Sequence, residues 1–170
     1  MNIGVDVARA MTPPRYQPGV GLRPGEQMHP VAPLVPALYA ALYDSIAAHS
    51  TAGLNVVVDV GHHDAVVLTA CARRLDGLPA LFVGVRCPIE VIMKRRNASP
   101  ADAYAMASAH DPVPAPVLRW QNEVHVPGIY DLEVDTSVLS PEQCADAIRD
   151  RLDGNVPPTA FGRLAEGTSV

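Results

Sequence analysis

The sequence predicts an α/β fold in which helices cover both faces of a parallel sheet. Short runs of mostly apolar, often β-branched residues are typical of buried strands, and LNVVVDV at 54–60 and LFVGVRC at 81–87 are the clearest. Segments with apolar residues at helical spacing separate these runs. Such an alternation indicates right-handed crossovers between parallel strands. The length of 170 residues suits one domain of this kind.

The first half of the chain begins with a predicted strand at 2–7, NIGVDV. The stretch 12–36 is dense in Pro and Gly and predicts no long regular element, because proline removes backbone donors. Residues 34–49 have helical spacing, and Gly53 suits a helix end. The buried strand at 54–60 follows.

The second half repeats the alternation. Helices are predicted at 64–75, 89–96, 117–125 and 141–152, and strands at 81–87 and 131–136. Pro88 suits the first turn of a helix, and Ser140 suits an N-cap. The polar, alanine-rich region 97–116 is expected to be mobile. Residues 154–170 predict a poorly ordered tail, which leaves a domain over 1–153.

Composition excludes several classes of protein. A formal net charge of -5 without a basic run disfavours nucleic-acid binding. No apolar stretch approaches the roughly 20 residues of a membrane helix, and the N-terminus has no signal-peptide pattern, so we expect a cytoplasmic protein. The three cysteines include no CxxC pair, which argues against a disulfide framework and a zinc site.

Charged residues follow the predicted strands, at the edge where open α/β sheets bind ligands. They are Asp6, Asp59, Arg86 and Asp135. Two carboxylates at neighbouring strand ends suit phosphoryl transfer, because one can accept a proton from a hydroxyl while the other holds Mg²⁺. For any single aspartate, capping of the next helix or of turn amides is the stronger expectation.

Other chemically suggestive residues favour plainer interpretations. His62, His63 and Asp64 lack a further metal ligand, so we expect a solvated loop in which Asp64 starts a helix and no metal binds. Trp120 and Tyr130 could stack on an adenine, but packing against the protein is the stronger expectation.

Two strings resemble the C-terminal half of the chloramphenicol phosphotransferase family. They are LFVGVRCPIEVIMKRR at 81–96 and VHVPGIYDLEVDTSVLSPEQCADAI at 124–148, and GVD at 4–6 resembles the second strand of that family. The resemblance covers residues 2–152 in the same order and spacing. It implies a P-loop kinase-like fold, ATP and Mg²⁺ as cofactors, and a small, antibiotic-like molecule with a hydroxyl as acceptor.

The resemblance also implies roles for individual residues. Asp6 matches the catalytic aspartate, which takes the proton of the acceptor hydroxyl. Asp59 matches an acidic residue near the metal and the phosphates, and Arg95 matches an arginine of the lid helix. A second lid arginine of the relatives is replaced here by Ser99, so one of the two arginines expected to clamp the phosphates is absent from the lid helix.

The acceptor pocket is expected in the proline-rich stretch and the helix after it. The side chains available for an apolar lining are Tyr16, Met28, Leu34 and Leu38. This stretch is the least family-like part of the chain, and pocket residues decide specificity. Chloramphenicol itself is therefore one acceptor among several that the sequence allows.

The phosphate-binding motif GxxxxGK[ST] does not occur in the printed sequence. In the fold implied by the resemblance, this loop follows a strand at the centre of the sheet, between the strands at 54–60 and 81–87. We therefore expect a sheet that lacks its first, central strand, and impaired activity. Either Met1 is an internal methionine, or the protein is a natural short form; a start already inside a strand favours the first.

Three functions stay open at this point. The leading hypothesis is an ATP-dependent phosphotransferase acting on a small-molecule hydroxyl. The second is a non-catalytic relative that keeps the acceptor pocket and has lost nucleotide binding. The third is a kinase of the nucleoside or shikimate type with another acceptor.

Overall fold

Strands and helices alternate along the chain in the computed structural model, which describes residues 1–17, 34–100, 104 and 106–167. The strands are β1 (Asn2–Gly4), β2 (Val57–Asp59), β3 (Val83–Arg86) and β4 (Leu132–Asp135). The helices are α1 (Val5–Met11), α2 (Val35–Thr51), α3 (Ala65–Leu75), α4 (Ile89–Asn97), α5 (Ala115–Glu123), α6 (Pro141–Asp153) and α7 (Ala160–Glu166). The predicted α/β class is confirmed.

The four strands form two separate parallel pairs. In the first pair, Gly4 of β1 lies opposite Asp59 of β2; in the second, Arg86 of β3 lies opposite Asp135 of β4. Helix α3 connects β2 to β3, but these two strands do not pair with each other. Within the described part of the chain, β2 and β3 therefore each have one unpaired edge.

The core lies between these strands and three helices. Its buried side chains come from α2, α3 and α7: Tyr43, Ile46, Leu68, Cys71, Ala72, Leu75, Phe161 and Leu164. Ile3 of β1, Val58 of β2 and Phe82, just before β3, pack against this cluster. Because the same cluster contacts both strand pairs, they share one core. This common core links the two pairs although β2 and β3 are not hydrogen-bonded to each other.

The N-terminal strand is shorter than the prediction for 2–7, which is wrong beyond Gly4. Residues Val5–Met11 form α1, so Asp6 lies in the first turn of a helix and not at a strand end. The partner strand β2 ends at Asp59, opposite Gly4, and offers no ladder partner to a longer β1. The sequence VDVARAM contains good helix formers and becomes helical once pairing stops.

Two helix starts follow their sequence signals. The Asp64 carboxylate accepts hydrogen bonds from the backbone N–H groups of Val66 (2.8 Å) and Val67 (3.1 Å), so Asp64 is the N-cap of α3. Ser140 is the N-cap of α6, as predicted, and forms a reciprocal capping box with Gln143. Each cap satisfies donors that the first helical turn leaves without a partner.

Helix α2 is the longest helix of the described residues, with 17 residues. The predicted helix at 34–49 is confirmed within two residues at its C-terminal end. Tyr43 and Ile46 are its buried residues, whereas Asp44 on the outer side forms an ion pair with Arg74 of α3 (2.9 Å). None of the described helices has both the length and the apolar character needed to cross a membrane.

The prediction of a poorly ordered tail is wrong for residues 160–166. Helix α7 packs on α3, and its Ala160, Phe161 and Leu164 are buried. The Asp131 carboxylate accepts hydrogen bonds from the N–H groups of Ala160 (3.0 Å) and Phe82 (2.9 Å) through its two oxygens. Asp131 thus joins α7 to the segment before β3. This contact is long-range, and no local sequence signal predicts it.

Candidate functional site

Asp6 and Asp59 lie at the same end of the first strand pair. Asp59 is the last residue of β2, and Asp6 follows Gly4, the β1 residue opposite it, by two positions. Both side chains are exposed. A Cβ atom on Gly4 would come within 2.5 Å of the backbone oxygen of Asp59, so a glycine is required where the two strands approach each other.

Arg95 lies at the carboxyl end of the second strand pair. From α4, its guanidinium donates to the Thr136 hydroxyl (3.0 Å) and to the Thr136 carbonyl oxygen (2.5 Å), and it reaches the Cys87 sulfur at 3.6 Å. Cys87 follows β3 and Thr136 follows β4. Arg95 therefore bridges the ends of these two strands, while its side chain stays exposed to solvent.

The other strand-end charges have partners within the second pair. The Asp135 carboxylate accepts from the Ser137 hydroxyl (2.6 Å) and the Ser137 backbone N–H (2.8 Å), and these hydrogen bonds lower the pKa of Asp135. Arg86 forms an ion pair with Glu133 and lies over the Tyr130 ring. Asp135 thus accepts hydrogen bonds in the turn after β4, whereas Arg86 links β3 to β4 and to the segment before β4.

The aromatic side chains considered for adenine binding pack against the protein. Trp120 of α5 lies edge-on to His63 (ring centroids 5.1 Å) and close to Gly61, where a Cβ atom would come within 2.9 Å of the indole. The Tyr130 ring covers Gly84 of β3 in the same way. The expectation of packing is met at both positions.

An apolar cavity of about 70 Å³ lies between α1 and α2. Its apolar lining consists of Val5, Ala8, Val35, Leu38 and Leu42. Of the predicted acceptor-site residues, Leu38 lines this cavity. Tyr16, in a single helical turn at Pro14–Tyr16, and Leu34, just before α2, are largely exposed and do not line it, and Met28 lies outside the described residues.

The predicted solvated loop at 62–64 is wrong for His62, whose side chain is 6 % exposed. Its Nε2 lies 2.9 Å from the Tyr43 hydroxyl, and its ring lies 4.6 Å from that of Tyr39. The Tyr39 hydroxyl donates to the Gly61 carbonyl oxygen (2.5 Å). Tyr39 and Tyr43 are four residues apart and therefore lie on one face of α2. This spacing is the sequence signal for an aromatic surface that could cover a residue such as His62.

Burial shifts the protonation equilibria of this cluster. It lowers the pKa of His62 to about 4, with a smaller contribution from His63. It raises the pKa of Tyr39 to about 12 and raises the pKa of Tyr43 further. At neutral pH the histidine is therefore neutral and both tyrosines keep their protons.

Comparison with models of protein families shows which family the chain belongs to. The family model described as chloramphenicol phosphotransferase-like protein matches residues 1–153. The chain belongs to that family. Membership in the chloramphenicol phosphotransferase-like family implies chemistry of the phosphotransferase or kinase type. A search of curated proteins finds no match.

Family membership also suggests a nucleotide and Mg²⁺. The described residues offer a suitable ligand for Mg²⁺ but no phosphate-binding loop for the nucleotide. Mg²⁺ is commonly held by one or two carboxylates together with substrate phosphates and water, and the exposed Asp59 carboxylate is of that type. The described residues contain no group of three or more potential metal ligands. For the triphosphate, the printed sequence has no GxxxxGK[ST] loop, so the fit to ATP is incomplete.

Proposed function

We propose that this chain is a phosphotransferase which moves a phosphoryl group from ATP to a hydroxyl of a small molecule, with Asp6 as the general base. The family supports the reaction class. The observation that supports the site is the position of Asp6 and Asp59 at one end of the β1–β2 pair. Parallel sheets bind their ligands at this end.

Asp6 suits the proton transfer because its carboxylate is exposed in the first turn of a helix. As the acceptor oxygen bonds to phosphorus, the bond from phosphorus to the leaving ADP breaks and the hydroxyl proton passes to Asp6. Asp59 is the proposed neighbour of the metal. Arg95, at the other strand pair, is proposed to face the transferring phosphoryl group, for which its planar guanidinium is suited.

The unpaired edges of β2 and β3 support a further part of the proposal: a parallel strand between them, carrying the phosphate-binding loop. On the side of the strands away from the core, Val57 is 71 % exposed and Val85 is 56 % exposed. Apolar, β-branched residues of central strands are normally covered on both faces. A strand with its following helix would cover both valines and pair both edges.

The cavity between α1 and α2 is the proposed acceptor site. Leu38 contributes to its apolar wall. Tyr16 and Leu34 flank residues 18–33, and we propose that they contact outer parts of the acceptor; Met28 stays an expectation from the sequence. Asp6 is on α1 beside Val5, which lines the cavity.

The test is a transfer assay with radiolabelled ATP, chloramphenicol and a panel of small alcohols, run on the longer product if the upstream reading frame encodes a phosphate-binding loop. We expect Asp6→Asn to lower the transfer rate by about 10²–10⁴-fold, because the general base is lost, with little change in ATP affinity. Asp146→Asn removes an exposed carboxylate on α6 and serves as the matched control. Full activity of Asp6→Asn would exclude Asp6 as the base.

The missing loop sequence supports a second candidate, a small-molecule-binding relative without kinase activity. We expect low ATP affinity and little transfer from the 170-residue chain. Translation of the DNA upstream of Met1 separates the candidates. An in-frame strand ending in GxxxxGK[ST] supports the kinase, and the longer product then belongs in the transfer assay. A stop codon close upstream supports the binding protein.

A further inference from the structure

The cavity between α1 and α2 is formed by one face of each helix. Each face contributes residues that lie three or four positions apart and therefore share one side of the helix. The α1 face consists of Val5, Ala8, Arg9 and Thr12, and the α2 face consists of Val35, Leu38, Tyr39 and Leu42. Ala8, in the middle of the α1 face, has the smallest of these side chains. A larger residue at this position would fill part of the space, so Ala8 keeps the cavity open.

The polar side chains on the wall are engaged by the protein itself. The Thr12 hydroxyl donates to the carbonyl oxygen of the residue four positions before it (2.8 Å). The Gln17 amide donates to the carbonyls of Arg9 (2.9 Å) and Thr12 (2.7 Å), and the Tyr39 hydroxyl donates to the Gly61 carbonyl. Arg9 takes part in an interaction of its own, and its buried Nε presents no surface to a ligand. The part of a ligand that enters the cavity is therefore apolar.

The volume of the cavity limits the size of that apolar part. A cavity of ~150 Å³ inside a protein holds one molecule of benzene. The cavity between α1 and α2 measures about 70 Å³, which is roughly half as much. In proportion, it takes a group of about three carbon atoms, such as isopropyl, and a phenyl ring is too large to enter.

We propose that this cavity selects small neutral molecules with a compact, branched apolar end of isopropyl size, and that Ala8 and Leu38 set the size limit. The apolar end enters between α1 and α2, and the rest of the molecule lies outside. That the molecule is an alcohol which accepts the phosphoryl group rests on the proposed function, in which Asp6 follows the wall residue Val5. The binding step does not rest on it, because it needs neither ATP nor a metal.

The test compares isoamyl alcohol with phenethyl alcohol. Both carry their hydroxyl on the same ethylene chain, which bears an isopropyl group in the first and a phenyl group in the second. We expect isoamyl alcohol to bind about tenfold more tightly, because its whole apolar end is removed from water. A flat apolar surface would favour the ring, which has the larger apolar area. Equal affinities, tighter binding of phenethyl alcohol or no binding of either would overturn the proposal.

Binding is measured without nucleotide by NMR titration of the ¹⁵N-labelled chain of 170 residues. We expect isoamyl alcohol to shift amide signals of α1 and of the first turns of α2, which form the wall. Shifts confined to other elements would show that the alcohol binds elsewhere and would overturn the proposed site.

Two variants change the size of the cavity in opposite directions. Ala8→Leu places a larger side chain in the cavity, and we expect it to weaken the binding of isoamyl alcohol by at least about tenfold. Ala10→Leu adds the same side chain at an exposed position of α1 and should leave the affinity unchanged. Leu38→Ala widens the cavity, and we expect this variant to prefer phenethyl alcohol. Wild-type affinity in Ala8→Leu, or the wild-type preference in Leu38→Ala, would contradict the size limit.

The transfer assay with the same two alcohols separates this inference from the proposed function. Transfer to neither alcohol, with the binding preference intact, would refute the proposed function alone. Transfer to an alcohol, together with equal affinities for both, would refute this inference alone.

Discussion

At the end of β2, the exposure of some residues could be predicted from the sequence and that of others could not. Asp59 ends a β-branched run, and its exposed position at the strand end agrees with that pattern. His62, three residues further, has the same local character but is buried, because Tyr39 and Tyr43 of a distant helix cover it. Local sequence places a residue on a strand or loop; contacts from other elements decide whether it is buried.

Burial of His62 predicts a dependence of stability on pH. The pKa of His62 is about 4 in the folded protein and 6.5 ordinarily, so the unfolded chain binds more protons between these values. The contribution of His62 to the free energy of unfolding is therefore fully present above pH 6.5 and is lost as the pH falls towards 4. The total loss is roughly 3 kcal/mol. Urea denaturation at a series of pH values measures this loss.

The matched variants are His62→Gln and His63→Gln. We expect the first to lose this part of the pH dependence and the second, at an exposed position, to keep most of it, because burial is the main cause of the lowered pKa of His62 and His63 the smaller one. Burial also lowers the pKa of His125, which contributes in the same direction in all three proteins and cancels in the comparison. Identical pH profiles for wild type and His62→Gln would show that His62 titrates as in the unfolded chain.

Among the elements, α7 extends the domain beyond the boundary that the sequence predicts. It lies beyond residues 1–153, which the family model matches, and yet it supplies buried side chains to the core. The Phe161 ring lies 4.9 Å from that of Phe82, and Arg73 of α3 donates to the Ala165 carbonyl (3.1 Å). A short helix of this kind gains its stability from packing and not from its own propensity.

Truncation of Phe161 tests the contribution of α7. We expect Phe161→Ala to lower the free energy of unfolding by about 3–5 kcal/mol, because a buried aromatic ring is removed. Val156→Ala, at a side chain that is 66 % exposed just before α7, should change it by less than about 0.5 kcal/mol. Chemical denaturation provides both values, and similar small effects would show that α7 is not part of the cooperative unit.

For the whole molecule, the order of strands and helices from 34 to 153 could be predicted from sequence, because buried runs and caps such as Ser140 are local signals. Helix α1, helix α7 and the burial of His62 could not. Each depends on where another element ends or packs: α1 begins where β2 stops offering partners, and α7 is joined to the domain through Asp131. The resemblance to a family supplied the candidate catalytic residues, which local patterns alone left equivocal.

The two separate strand pairs predict different protection of neighbouring amides in β2. The Val57 N–H donates to the Met1 carbonyl (2.8 Å), and the Val58 N–H points to the opposite, unpaired edge. In the 170-residue chain we expect Val58 to exchange its amide proton at least about tenfold faster than Val57 by NMR. Equal protection would show that another segment already pairs with this edge.

The position of Asp131 in the chain has a consequence for synthesis. Its carboxylate joins the segment before β3 to the start of α7, and α7 is made after every strand of the domain. While the ribosome still holds residues 160–166, Phe82 and α3 lack their cover. The core therefore closes only once these residues have left the exit tunnel, and until then the nascent chain exposes the apolar surface that α7 later covers.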